Sequence, residues 1–351
     1  MEENMFSVYD LNKREEWDKI VRSFQEYDVY YLSGYTKAFQ INGDGEPLLF
    51  YYQDEKCRGI NVVMKRDIAD DSRFKDKIKK NMYFDFVTPY GYGGWMIEGE
   101  IENMEKLMEQ YEKWCHKHNV VSEFVRFHPM LQNKKNVKEF YQVIDLGNTV
   151  AMDLESPEVI WSNLITQNRN KIRKAEKNGL KIYHSQSPEI YKIFREIYNE
   201  TMDRDHADAY YYFSEEFYES VLNDLKQQGT VFYAQTEDGK IAAASIVIGA
   251  NGLLNYHLSG SRGEYRNLAP SNLLLYEIAL WGSANGYRSF HMGGGVGSKE
   301  DNLYVFKKGF YRGEPKQFSI GKKIFNENNY KMLIEMRDDI QNPSFFPEYR
   351  G

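Results

Sequence analysis

At 351 residues the chain exceeds one ordinary core and suits two domains of roughly 150 to 200 residues each. A formal charge of −7 argues against a dedicated nucleic-acid binder, which needs a concentrated positive field. The two cysteines, Cys57 and Cys115, match neither a disulfide framework nor a zinc-ligand spacing, so structural thiols, a reduced cytoplasmic setting and no metal are expected.

The start, MEENMFSVYD, lacks the basic opening and apolar core of a signal peptide, and no apolar run reaches the roughly 18 residues of a membrane span. A soluble protein with no transmembrane segment is expected. Further on, LLFYYQ (48–53) and GINVVMKRD (59–67) read as a hairpin turning at QDEKCR. YFDFVTP (83–89) is a strand stopped by Pro89, followed by the glycine-rich YGYGGW (90–95). A helix is expected from Ile101 to His118, then a strand at VSEFVRFHP (121–129).

Three helices follow, each opened by a serine. Ser156-Pro157-Glu158 supplies an N-cap, a proline at the first helical position and an early acid, and the helix is expected to run to Asn178-Gly179. Ser187-Pro188-Glu189 opens the second in the same way, and Ser214-Glu215-Glu216 the third.

The earlier order then returns. GTVFYAQTEDGKIAAASIVIG (229–249) is a hairpin around Glu237-Asp238-Gly239, and LLNYHLSGS (253–261) is the next strand. RGEYRNLAPS (262–271) is a loop, a helix carries Leu274, Ile278 and Trp281 on one face, and YRSFHMGGG (287–295) is a strand running into glycines. Hairpin, strand, loop, helix and strand twice over predicts an α/β (α+β) chain of two tandem domains, 1–150 and 151–351, each a mixed, largely antiparallel splayed sheet flanked by helices.

WSNLITQNRNKIRKAEKNGLKI (161–182), SGSRGEYRNLAPSNLLLYEIALWGSANGYRSFHMGGG (259–295) with LYVFKKGFYRGEPKQF (303–318), and TPYGYGG (88–94) together resemble Fem-type peptidoglycan aminoacyltransferases of the GNAT acyltransferase superfamily. The resemblance spans nearly the whole chain. It implies two GNAT-like domains and transfer of an aminoacyl or acyl group to an amine on a peptidoglycan or other cell-envelope precursor, by direct attack. The implied donor is aminoacyl-tRNA or acyl-CoA, with no tightly bound cofactor, and the acceptor a peptide or nucleotide-sugar-linked precursor. RGEYRNLAPS departs from the Gly-x-Gly pyrophosphate loop of CoA-dependent relatives, which counts against CoA, and two alternatives stay open. One is an acyl-CoA-dependent N-acyltransferase acting on a sugar or small peptide, the other a non-catalytic peptide- or glycan-binding protein.

By the same resemblance Lys307 matches a Phe-Lys position and is the candidate to stabilise the developing oxyanion, with Lys308 as the fallback. Arg204, beside His206, and Tyr212, Tyr256, Glu98 and Lys37 are the substrate-binding candidates it implies. Attack requires a deprotonated amine, so Asp85, His257 and His291, on strands expected to border the cleft, are the candidate bases. Arg169, Lys171, Arg173, Lys174, Lys177 and Lys181, with the single acid Glu176, form a local positive run that would meet tRNA, a diphosphate headgroup or an anionic membrane surface. The glycines at 293–297 lack both dinucleotide and Walker endings, so tight backbone approach or a strand-end bulge is expected there.

Overall fold

The computed structural model describes residues 5–100, 104–337, 339–342 and 344–351. The chain forms two units, Met1–Leu146 with Phe318–Gly351, and Gly147–Gln317. The second unit therefore ends at Gln317 instead of continuing to Gly351, because the last segment rejoins the first unit. The opening residues 1–4 and the expected helix start at 101–103 lie outside the described residues.

The first unit runs β1 (Met5–Tyr9), α1 (Arg14–Ser23), α2 (Ser33–Ile41), β2 (Glu46–Gln53), β3 (Cys57–Asp67), β4 (Phe84–Val87), β5 (Met96–Gly99), α3 (Met104–Lys117), β6 (Val120–Arg126) and α4 (Lys134–Val137). The second runs β7 (Gln142–Asp153), α5 (Pro157–Asn163), α6 (Thr166–Lys177), β8 (Lys181–Ser185), α7 (Pro188–Arg204), α8 (Glu215–Asp224), β9 (Gly229–Gln235), β10 (Ile241–Ala250), β11 (Leu253–Ser261), α9 (Pro270–Ala284), β12 (Ser289–Gly293) and α10 (Asn302–Lys308). β13 (Lys316–Ile324) and α11 (Glu327–Glu335) close the chain, and β13 pairs with β6 through Ile320–Ile324.

The two sheets repeat one plan. In the first unit the order is β1-β2-β3-β4-β6-β13, in the second β8-β9-β10-β11-β12-β7. In each, an antiparallel hairpin leads to a strand, a helix crosses over, and the next strand lies parallel, β6 beside β4 and β12 beside β11. The sixth strand is antiparallel to its neighbour in both. Two units of one strand plan are thus what the repeated sequence order encodes.

Local chemistry explains the elements. Asp54 accepts from the amides of Lys56 and Cys57 at 2.8 and 2.7 Å, closing the β2–β3 turn. Thr236 N donates to Lys240 O and Lys240 N to Thr236 Oγ1 around Gly239, whose φ of +84° a side-chain-bearing residue rarely adopts. α3 buries Leu107, Met108, Tyr111 and Cys115, an i, i+4 stripe that meets Phe50 of β2 through Tyr111 at 4.9 Å. α9 is buried on several faces, through Leu273, Leu274, Leu275, Ile278 and Ala279, because α5 and α6 cover the side turned away from its sheet.

The helix expected from Ser156 to Asn178 is broken in two. Leu164 and Ile165 are extended, Leu164 is fully buried, and the Ile165 amide donates to Gly309 O at 3.0 Å instead of to the preceding turn. Both cysteines are buried, and burial pushes their thiols up, Cys57 to about 11. Among the described residues no helix is long and apolar enough to cross a membrane, and no group of three His, Cys, Asp or Glu side chains could hold a metal ion.

Candidate active site

The parallel pair at the heart of the second unit is short. β11 and β12 are joined at Leu253–Ser289, Leu254–Phe290 and Asn255–His291, after which their pairing stops. β11 nevertheless continues to Ser261 alongside β10, with a register shift between Ile246 and Val247 that makes His257 the extra residue. A bulge bends the strand that carries it, so β11 leaves β12 just where the ladder ends. The C-terminal ends of two parallel strands, where an α/β unit presents its unpaired backbone, are thereby opened.

Lys307 stands beside that opening. It lies on α10, not at a strand start, and is 7% exposed. Its Nζ donates to Gly294 O, one residue beyond β12, at 2.7 Å. Burial pushes its pKa down to about 8, and the Asp301 carboxylate opposes that shift. Asp301 caps α10 by accepting from Tyr304 N at 2.9 Å and also accepts from Val296 N at 3.0 Å. A Cβ at Gly295 would meet Lys299 O at 2.1 Å, so the strand-end glycines serve close backbone approach, with a register shift between His291 and Gly293. Lys308 points elsewhere, to Gly313 O.

Other candidates lie on α7 and the loop after it, along β11 and on β12. The Arg204 guanidinium donates to Ser261 O at 2.9 Å, and Thr201 Oγ1 accepts from Ser261 N at 3.0 Å, so the last turn of α7 is pinned to the end of β11. Tyr212 donates to Asp203 Oδ1 at 2.8 Å from the loop after α7, where His206 takes a φ of +51°. Tyr256 packs edge-on to Phe290, and burial pushes its phenol up to about 12. Desolvation pushes His257 down to about 3, leaving a neutral imidazole at the bulge. His291 is buried on β12, opposite Asn255 on one side and Ala151 on the other.

Three candidates sit in the first unit. Asp85 is fully buried and accepts from Arg66 Nε at 2.7 Å, Arg350 Nε at 2.6 Å and Tyr349 OH at 3.1 Å. Burial raises its carboxyl, but the Arg350 and Arg66 guanidinium groups more than offset this and hold it below the usual range. A carboxylate so clamped is a structural anion, unsuited to taking a proton from an amine, which corrects the reading of Asp85 as a base. Glu98 has both oxygens engaged, one by Arg58 Nε at 2.8 Å and the other by Gln25 N at 2.5 Å, and so ties β5 to β3 and the end of α1. Lys37 lies half-buried on α2.

The sequence reading missed a meeting of helix ends. α6 and α9 both begin without a side-chain cap, and their third residues are bonded to each other, Asn272 Nδ2 donating to Asn168 Oδ1 at 3.2 Å. Asn168 is 4% exposed, and its own Nδ2 has no hydrogen-bond partner. Beside it Arg169 and Arg312 both donate to Leu164 O, at 2.9 and 3.2 Å. Two uncapped helix N-termini and a buried unused amide thus meet beside two guanidinium groups, a positive setting of the kind that favours phosphate oxygens. The only signal in the sequence was the pair of helix starts Thr166-Gln167-Asn168 and Pro270-Ser271-Asn272. The basic run is narrower than it reads, since Arg169 is turned inward and Arg173 stacks over Trp161 at 5.3 Å.

The short parallel pair that parts at a bulge and the two uncapped helix starts all fall within the segment that is similar to a GNAT acetyltransferase domain. Residues 162–308 match the model of the acetyltransferase (GNAT) domain. The fold is shared with FemX, at 14% identity over 94% of this chain and 99% of that one, with a TM-score of 0.68. It is shared also with the C-terminal domain of a protein described as a lysylphosphatidylglycerol synthetase from Agrobacterium fabrum, at 13% identity over 93% and 95%, TM-score 0.55. The L-PGS structure from Bacillus licheniformis matches at 14% identity over 86% and 90%, TM-score 0.52. At these identities the likeness is one of fold. No curated protein matches the chain.

Proposed function

We propose that the second unit transfers an acyl group from a phosphate-bearing thioester, an acyl-CoA, to a primary amine. The observation that carries this reading is the junction of α6 and α9, whose uncapped ends and unused Asn168 amide lie at the loop that leads from β11 into the crossover helix. The donor phosphates sit on those helix ends, and the thioester reaches between the parted strands. The amine nitrogen attacks the carbonyl carbon, the C–N bond forms as the C–S bond breaks, and the thiolate leaves with the proton the ammonium gives up. Lys307 offers its remaining N–H bonds to the carbonyl oxygen as charge develops there. Neutral His257 at the bulge is too weak a base to hold that proton and instead borders the attacking nitrogen as a hydrogen-bonding group. Arg204 and Tyr212 border the acceptor.

The acceptor amine is carried by a cell-envelope precursor. The fold shared with FemX supports this finer reading, as does the resemblance of 88–94, 161–182 and 259–318 to Fem-type enzymes. An aminoacyl group delivered by tRNA is the competing donor, and the exposed lysines of α6 are the feature that would serve it. Calorimetry with acetyl-CoA and with charged tRNA, followed by turnover with a lysine-containing muropeptide, decides between them. Binding of acetyl-CoA weakened by Asn168→Asp supports the thioester reading. Binding of charged tRNA alone overturns it.

A further inference from the structure

A second cavity lies at the other end of the same sheet. It has a volume of ≈ 320 Å³ and is lined by His184, Gln186, Gln228, Thr230, Trp281 and Tyr287 over a floor of Val247 and Leu254. Leu254 is at the start of β11 and Tyr287 precedes β12, whereas the parted strand ends and Lys307 lie at the far ends of those strands.

The lining is aromatic and contains no Asp, Glu, Lys or Arg. Trp281 and Tyr287 have ring centroids 5.8 Å apart with planes inclined by 30°, and His184 leans against Trp281 at 5.9 Å and 60°. Rings this close touch one another, so they form one continuous platform and leave no slot between parallel planes for a flat base. The polar groups are amides and a hydroxyl. The Gln186 amide nitrogen is held by Lys226 O and Gly229 O, both at 2.7 Å, which leaves its carbonyl oxygen to accept from a ligand. The platform is built in: a Cβ at Gly249 would come within 2.7 Å of Tyr287 Cε1, so the bare glycine lets that ring lie down on β10.

An apolar floor, one aromatic face and uncharged hydrogen-bonding groups suit a ring that is apolar on one side and hydroxylated around its edge. We propose that this cavity binds an uncharged pyranose, stacked on Trp281 and Tyr287 with its hydroxyls toward Gln186, Gln228 and Thr230. The site is independent of acyl transfer, and its occupancy is measurable with no donor present.

The test uses the full chain, with N-acetylglucosamine and methyl β-glucoside as probes, adenosine as the planar competitor and inorganic phosphate as the anionic control. Saturation-transfer NMR is expected to show the sugar ring protons in contact, with millimolar affinity read by tryptophan fluorescence. Trp281→Leu and His184→Ala each weaken sugar binding by about tenfold or more, which is about 1.4 kcal/mol. His184 is exposed, so its variant keeps the fold and decides the matter if the Trp281 variant melts early. No sugar binding to the wild type, sugar binding indifferent to His184→Ala, or tighter binding of adenosine or phosphate at this cavity would each overturn the proposal.

Discussion

Lys307 is a buried ammonium held by the carbonyl of Gly294 at 2.7 Å, one residue past the end of β12. Its position fixes a charge at the opening between the strands without a carboxylate in contact with it. Lys307→Met is expected to lower kcat by on the order of 10²-fold while KM for the acyl donor stays near wild type, as for loss of an oxyanion donor. Steady-state kinetics with an acyl thioester measure both. A raised KM with kcat unchanged would make Lys307 a donor-binding group.

The same residue sets a pH dependence. With its pKa pushed down to about 8 by burial, the ammonium is lost as pH rises through 8, so kcat should fall on that limb and the Lys307→Met profile should be flat there. Stability moves the opposite way. The folded value lies below the unfolded 10.5, so between about 8 and 10.5 the unfolded chain binds more protons and wild-type stability rises with pH relative to the variant. The rise totals on the order of 3 kcal/mol. Urea unfolding of both proteins at about pH 7.5, below this window, and at about pH 10, where most of the rise has occurred, reads the difference; parallel curves would refute the assignment.

Asn168→Asp separates binding from folding at the paired helix ends. A carboxylate there still accepts from Asn272 and is favoured by two helix N-termini, so the melting temperature holds or rises. It repels donor phosphates, and KM or Kd for acetyl-CoA should rise by about tenfold or more. An unchanged Kd would remove the donor from this end of α6 and α9.

On α6 the basic residues divide. Lys171, Lys174 and Lys177 changed together to Gln should flatten the salt dependence of any polyanion that binds, with little effect on stability. Arg169→Ala should instead destabilise by about 1 kcal/mol, because two of its hydrogen bonds hold Leu164 O at the break between α5 and α6. Denaturant titration and binding across a salt series distinguish the two groups.

Asp85→Asn tests the clamp in the first unit. It leaves Arg66 and Arg350 facing a neutral amide in a buried site, and a loss of about 3–5 kcal/mol is expected. Because the folded carboxyl is held below its unfolded value, the stability it supplies is present above the unfolded pKa and is lost as pH falls through the folded one. The variant should therefore lose that acid-dependent component, as read by urea midpoints between pH 5 and pH 2.

Punctuation was the part of this fold most open to reading. Ser156, Ser187 and Ser214 each cap the helix they announce, accepting from Val159 N at 3.2 Å and from Ile190 N and Phe217 N at 3.3 Å. The break at Leu164-Ile165 was invisible, since two apolar residues continue a helical pattern and only the Gly309 carbonyl, distant in sequence, pulls the chain out of it. For the site, Lys307, Arg204, Tyr212, Tyr256 and His257 were named from the sequence; Lys307 is bonded just past β12, Arg204 at the end of β11, Tyr212 to the end of α7, and Tyr256 and His257 lie within β11. That Lys307 is helical and buried was not legible, because burial of a lysine is decided by what packs over it. Asp85 misled, as a strand carboxylate looks the same in sequence whether or not arginines from β3 and the C-terminus close on it.

The return of β13 to β6 has a consequence for how the protein is made. The first unit's sheet is completed by a strand that leaves the ribosome after the whole of the second unit. During synthesis, β6 must wait with its outer edge unpaired while about 190 further residues emerge, roughly 10 to 40 s at ordinary elongation rates. An unpaired edge is a site for pairing with another chain. Newly made protein is accordingly most prone to aggregate before residue 324 appears, and a chain truncated at Gln317 leaves the first unit permanently in that exposed state.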